Sequence, residues 1–169
     1  MDGPLVGHPG GARGHDRKQP SDDEFRAAFS ALVLDPRGPR KALVRYLLSQ
    51  LEVGVGGKPI DFDGSDVTIE HILPDNPSTG REAFTHEDRQ REVKRLGNLT
   101  PLEYGLNKGL GNSAYGVKLP VYARSGYHLT RQITLSEWTP AAIRGRQVHM
   151  AEVAAQIWRI DDAEGALGT

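Results

Sequence analysis

The chain has 169 residues, no cysteine and a formal net charge of −1, with 37% hydrophobic and 25% charged residues. This composition is ordinary for a soluble globular protein with one core and flexible ends. It excludes disulfides and a cysteine-based zinc site, and it is not that of a strongly basic, non-specific binder of polyanions. No apolar run is long enough to span a membrane, so we expect a cytoplasmic protein.

Both ends of the chain are predicted to be flexible. Residues 1–20 are rich in Gly, Pro, Arg and His without a hydrophobic period, which is typical of a tail or linker. Residues 161–169 are expected to fray. The folded domain is therefore predicted to occupy residues 21–160.

Two helices are predicted at the start of the domain, within about residues 22–52. Ser21 can cap the first helix, and Glu24 stands three residues later, as in a capping box. The second helix is predicted from about residue 40 to residue 51, and it carries apolar residues at helical spacing: Leu43, Val44, Leu47, Leu48 and Leu51. The glycine-rich stretch 54–59 lacks the spacing of a phosphate-binding loop and is predicted to be a turn.

A strand is predicted over residues 68–72, and it contains Glu70 directly before His71. Pro74 follows and would end the strand pairing. Because neighbouring side chains of a strand point to opposite faces, Glu70 and His71 can serve one site only at a strand end or bend. Such a pair, taken alone, is most often a surface pair.

The next segment is predicted as a loop over 75–85, a charged helix with a solvated face over 86–96, and a second short strand over 98–102. A helix is then predicted from Leu106, with Gly109 and Gly111 interrupting it. Taken alone, Asn98 would be a turn residue and Asn107 a helix cap.

The remainder is predicted to be helical. One helix from about 113 to 125 would turn Tyr115, Leu119 and Tyr122 inward, although Pro120 predicts a kink or a boundary. The last helix, over 139–160, has Thr139 as its cap and Pro140 at its first position. Its predicted core residues are Ile143, Val148, Val153, Ile157 and Trp158.

Glu70, His71, Asn98 and Asn107 follow one another in an order that suits a one-metal nuclease. A histidine can act as the base that activates water. The carboxylate of Glu70 and the amide oxygen of Asn107 are hard donors for one Mg²⁺ or Mn²⁺, and they leave coordination positions open for water and phosphate. The set therefore predicts metal-dependent cleavage of phosphodiester bonds.

Three motifs carry a family resemblance: Glu70-His71-Ile72-Leu73-Pro74, Gly97-Asn98-Leu99-Thr100 and Leu106-Asn107-Lys108-Gly109. They resemble the HNH signature of the C-terminal nuclease domain in GmrSD-type modification-dependent restriction enzymes, and of their SspE-type relatives in phosphorothioate-linked phage defence. The resemblance runs from about Val67 to Trp158. It implies an α+β, mostly helical fold, with a ββα-metal core at about 66–112 inside a helical shell that includes the helices of about 113–160.

The resemblance also implies roles for single residues. His71 matches the general base, and Asn98 matches the middle asparagine that orients the catalytic histidine. Glu70 and Asn107 match the ligands of one Mg²⁺ or Mn²⁺. Four further side chains are expected to contact phosphate or DNA: Lys108, Lys118, Arg144 and His86.

The partners implied by the resemblance are double-stranded DNA and an N-terminal nucleotide-hydrolysing sensor domain whose motifs this chain lacks. One site favours nicking, with a transient dimer for double-strand cleavage, in an anti-phage restriction system. Three alternatives stay open: a catalytically silent DNA-binding or interaction module, a metal-binding or regulatory helical domain, and a ribonuclease. The last stays open because the metal site does not read the 2′-hydroxyl.

Overall fold

A computed structural model describes residues 20–75 and 84–158, so the predictions for the two tails and for most of the 75–85 loop lie outside the described residues. The described residues form an α+β fold that is mostly helical, as predicted. None of these helices is both long and apolar enough to cross a membrane. In chain order the elements are α1 Asp22–Ser30, α2 Lys41–Gly54, β1 Val67–His71, α3 His86–Glu92, β2 Leu99–Glu103, α4 Tyr104–Asn107, α5 Tyr115–Tyr122, α6 His128–Arg131 and α7 Pro140–Ile157.

The first two helices form where the sequence predicts them. Ser21 accepts a hydrogen bond from the backbone of Glu24, whose side chain accepts one from the backbone of Ser21, which completes the capping box. Helix α2 extends three residues beyond its predicted end, to Gly54. Leu43 is 43% exposed and so lies outside the predicted apolar stripe, whose other members are buried.

The two strands form an antiparallel pair in which Val67 lies opposite Glu103 and His71 lies opposite Leu99. Each strand is shifted by one residue from its predicted position. Helix α4 follows β2 directly, while α3 lies between the two strands in the chain. The ββα-metal identity of this core stays a prediction. Glu70 and His71 are the last two residues of β1, which confirms the expectation that the pair stands at a strand end.

The buried apolar side chains form two clusters instead of the single core that was predicted. The first cluster joins α1 and α2 to the C-terminal half of α7, and it includes Phe29, Leu48 and Met150. The second includes Ile72, Leu102 and Ile143. Strand β2 and helix α7 contribute residues to both clusters, so these two elements connect them.

Several local predictions were wrong in the second half of the chain. Helix α3 ends at Glu92, four residues early, and this glutamate is fully buried against Arg95 and Arg144 at 2.7 and 2.6 Å. The chain then makes a 3₁₀ turn at Leu96–Asn98. Val148 was predicted to be in the core but is 51% exposed.

The other helices of this half also depart from the predictions in part. Helix α5 is shorter than predicted and continues through Pro120 without a boundary there. Helix α6 was not predicted. Helix α7 begins as predicted, because Thr139 accepts a hydrogen bond from the backbone of Ala142 and Pro140 is the first helical residue.

Gly97 offers a test of how closely the 3₁₀ turn packs on α7. A Cβ added at Gly97 would clash with the backbone oxygen of Ile143 and would stand 2.9 Å from the Cβ of Gln147. Because the obstacle is helix backbone, it cannot move aside as a flexible side chain could. We expect Gly97→Ala to lower the free energy of unfolding by about 2 to 3 kcal/mol, measured by urea denaturation.

Gly145 on α7 provides the matched control, because an added Cβ there would meet no atom within 4 Å. Alanine has a higher helix propensity than glycine, so Gly145→Ala should stabilise the protein by up to about 1 kcal/mol. Equal unfolding midpoints for Gly97→Ala and the unchanged protein would show that the turn does not pack as described.

Candidate active site

A cleft of about 340 Å³ lies beside the end of β1 and the short helix α4. Three of the four side chains predicted for the central site line it: Glu70, His71 and Asn107. The sheet supplies the first two and α4 supplies the third, so the strand pairing brings together residues that are far apart in sequence. The other lining residues are Thr68, Pro74, Asp75, Tyr104, Lys108, Gly111 and Asn112.

His71 is half-buried at the end of β1. Its Nε2 is buried and has no hydrogen-bond partner among the described residues. Burial lowers the pKa of His71 below the ordinary imidazole value; Arg37 and Lys118 lower it further, and Asp75 opposes them. The ring is therefore neutral at pH 7 and can accept a proton.

Glu70 is only 6% exposed, and its Oε1 is held by two donors. The ammonium of Lys118 lies 2.5 Å from Oε1, and the hydroxyl of Tyr122 donates to the same oxygen at 3.1 Å. Burial, together with the charge of Glu70, raises the pKa of Tyr122 far above its usual value, so this residue remains a neutral donor. None of the hydrogen bonds among the described residues involves Oε2, so this oxygen is left for other ligands.

Lys118 was predicted to contact phosphate, but its side chain does not line the cleft. It is fully buried, and besides Glu70 it donates to the backbone oxygen of His71 at 2.7 Å. The ammonium thus connects two neighbouring residues of the cleft from the protein interior.

Asn107 is oriented by the sheet. Thr68 Oγ1 donates to the backbone oxygen of Leu102 at 3.1 Å, so it must accept from Asn107, whose Nδ2 lies 2.7 Å away. The amide nitrogen is therefore turned toward Thr68, and the amide oxygen remains as an acceptor at the cleft.

Asn98 does not line the cleft. It is fully buried, and its Oδ1 accepts hydrogen bonds from the backbone nitrogen of Leu73 at 2.8 Å and from Trp138 Nε1 at 3.0 Å. Its Nδ2 donates to the backbone oxygens of Leu73 and Val93 at 2.9 and 3.0 Å. Asn98 therefore fixes the segment that directly follows His71, and it makes no contact with the cleft itself.

The remaining predicted contact residues lie in different surroundings. Lys108 is exposed and lines the cleft. His86 is exposed on α3, within hydrogen-bond distance of Gln90 at 3.0 Å, in a separate depression that shares only Asp75 with the cleft. Arg144 pairs with Glu92 and does not line the cleft.

Sequence reasoning missed several residues of the site. Asp75 lines the cleft, and Arg37 from the segment between α1 and α2 lies 2.5 Å from its carboxylate. Tyr122 stands four residues after Lys118, so helical spacing alone could have indicated that both face one point. Nothing local in the sequence links Arg37 to Asp75 or Trp138 to Asn98, because these contacts depend on the tertiary fold.

The chemistry of these donors fits an open site for a divalent cation. Among the residues that the structure describes, no three His, Cys, Asp or Glu side chains cluster in a way that could hold a metal ion. The oxygens left at Glu70 and Asn107 are the hard donors that Mg²⁺ and Mn²⁺ prefer, and two protein ligands leave most positions for water and phosphate. A closed, four-ligand zinc site is not what this set resembles.

A larger cavity lies elsewhere among the described residues. It has about 610 Å³, and its lining includes Lys41, Arg45, Phe62 and Asp63 but no histidine. Arg45 pairs with Asp63 at 3.1 Å and lies over the ring of Phe62. This groove has no histidine that could act as a base, so the smaller cleft is the better candidate for hydrolysis.

Comparison with known protein families gives a match. The family model described as the C-terminal domain of GmrSD restriction endonucleases matches residues 19–153. A search of curated proteins found no match. The matched span covers every residue that lines the cleft, together with Lys118, Tyr122 and Asn98 behind it.

Proposed function

The chain belongs to the family of GmrSD restriction endonuclease C-terminal domains, and on that premise we propose that its cleft hydrolyses DNA phosphodiester bonds with one divalent cation. The family indicates nuclease activity in phage defence. The observation that carries the finer proposal is the meeting of Glu70, His71 and Asn107 in one cleft. These three side chains include a base and two hard oxygen donors, which is the minimum for one-metal hydrolysis.

His71 is assigned as the general base. Because Nε2 is buried, Nδ1 is the ring nitrogen that can meet a water molecule in the cleft, with the proton of the neutral ring on Nε2. Nδ1 then takes a proton from the water that attacks phosphorus. The lowered pKa of His71 favours the neutral ring that this step requires.

Glu70 and Asn107 are assigned to hold Mg²⁺ or Mn²⁺ through Oε2 and Oδ1. When bound, the cation supplies charge neutralisation at the scissile phosphate and at the leaving 3′-oxygen. Lys108, which is exposed at the same cleft, is assigned to contact the phosphate backbone. Asn98 is assigned as a positioning residue, because it fixes the main chain next to His71.

The setting of the domain is also part of the proposal. One cleft cuts one strand, so a monomer should nick, and a double-strand break would need a transient dimer or repeated cuts. A net charge of −1 gives little general affinity for DNA, which supports target recognition by a separate, nucleotide-hydrolysing sensor domain. In this setting, the domain with the cleft is the part of a restriction system that cuts the DNA.

The dependence on metal can be tested with supercoiled plasmid. We expect the protein to convert it to the open-circular form with Mg²⁺ or Mn²⁺, and we expect EDTA to stop the reaction. Ca²⁺ in place of Mg²⁺ serves as a control for binding without efficient hydrolysis. Cleavage that continues unchanged in EDTA would contradict the assignment of Glu70 and Asn107 to a metal site.

A further inference from the structure

The ammonium of Lys118 is an unusual neighbour for a residue that is to hold a cation. Lys118 is fully buried, and its Nζ lies 2.5 Å from Glu70 Oε1. The carboxylate is the one anionic donor of the proposed metal site, and it is already paired with a positive charge inside the protein. In a buried position such a pair is screened far less than on the surface.

The other charged groups around the cleft do not give it a net negative charge. Asp75, the second carboxylate in the lining, is paired with Arg37 at 2.5 Å. Asn107 carries no charge, and Lys108 adds a positive charge at the exposed rim. The described lining of the cleft, together with its partners Lys118 and Arg37, therefore has no net negative charge.

We propose that Lys118 is a positioning residue that keeps this cation site neutral in the free protein, so that the divalent ion binds firmly only together with the phosphate of the substrate. This inference rests on the proposed function and concerns the same site. A phosphate diester supplies the negative charge that Glu70 cannot supply while it is paired with Lys118. Lys118 also keeps Glu70 and the backbone of His71 in fixed relation, since it donates to both.

Mn²⁺ binding, followed by electron paramagnetic resonance, tests the inference without reference to turnover. His71→Ala protein is used, so that DNA is not cut. We expect a duplex oligonucleotide to tighten Mn²⁺ binding by the protein at least about tenfold. The Mn²⁺ that the DNA itself binds is measured with Glu70→Gln/His71→Ala protein and is subtracted. Equal Mn²⁺ affinity with and without DNA would overturn the proposal.

Removal of the buried charge provides the second arm. Lys118→Gln keeps a side-chain donor for Glu70 and the backbone of His71 but removes the positive charge. We expect it to tighten Mn²⁺ binding by the free protein about tenfold or more. Lys108→Gln makes the same change of charge at the exposed rim of the cleft, where solvent and salt screen it, so its effect should stay below about threefold.

The two arms separate this inference from the proposed function. Lys118→Gln that binds Mn²⁺ no more tightly than Lys108→Gln would contradict the role of Lys118, even if the unchanged protein cuts DNA. Conversely, the protein and its variants could bind Mn²⁺ with the expected affinities while the unchanged protein cuts no DNA. That result would support the role of Lys118 and contradict the proposed nuclease activity. The first arm leaves Lys118 in place, so it stands if Lys118→Gln fails to fold.

Discussion

His71→Ala is expected to lower the rate of DNA cleavage by about 10²- to 10⁴-fold, which is the usual contribution of a positioned general base. His71 is the only histidine in the lining of the cleft. The change removes a ring whose buried Nε2 has no partner among the described residues, so the loss to stability should be small beside the loss of activity. The rate should be measured under single-turnover conditions with a labelled oligonucleotide.

His149→Ala is the matched control for this experiment. His149 is an exposed histidine on α7 and does not line the cleft, so its removal should leave the rate unchanged. Circular dichroism of both variants would show that they remain folded. Cleavage by His71→Ala within about threefold of the unchanged protein would show that the base is another group.

Asn98→Ala is expected to have the largest effect on stability, a loss of about 3 to 5 kcal/mol in the free energy of unfolding. The substitution leaves four buried polar groups without partners: the nitrogen and oxygen of the Leu73 backbone, the Val93 oxygen and Trp138 Nε1. Each unsatisfied group keeps the free-energy cost of its desolvation, which a hydrogen bond no longer offsets. Urea denaturation at neutral pH gives the value directly.

Asn107→Ala is the matched control, because it makes the same chemical change at a part-buried asparagine. Asn107 has one side-chain hydrogen bond to Thr68, and its loss should cost about 1 kcal/mol. The two substitutions should therefore lower different properties. The Asn98 variant loses stability, and the Asn107 variant loses metal-dependent cleavage. A similar, small loss of stability in both would contradict the structural role given to Asn98.

The sequence predicted those parts of the fold that depend on local rules. The capping box at Ser21 and Glu24, and the cap and proline at the start of α7, involve residues that are close in sequence, so the elements were found nearly in place. The strand-end position of Glu70 and His71 followed from the alternation of side chains. Glu70, His71 and Asn107 were selected from the order of residue types, and they line one cleft; their roles there stay a prediction.

The parts that failed depend on tertiary contacts. Glu92 lies on a helix of mixed charge, and its burial is compensated by Arg144 from α7 together with the nearby Arg95. Lys118 follows the motifs in sequence, but no local pattern indicates that its ammonium turns inward to Glu70. Val148 has the spacing of a core residue on α7, yet it lies on a face of the helix that the described residues leave exposed.

The central claim is that the cleft of Glu70, His71 and Asn107 cuts DNA. It is tested most directly by plasmid nicking in Mn²⁺, with the unchanged protein beside Glu70→Gln, His71→Ala, Asn107→Ala and His149→Ala at one concentration. Open-circular plasmid is expected from the unchanged protein and from His149→Ala only. Nicking by all five proteins at equal rates, or by none of them, would contradict it.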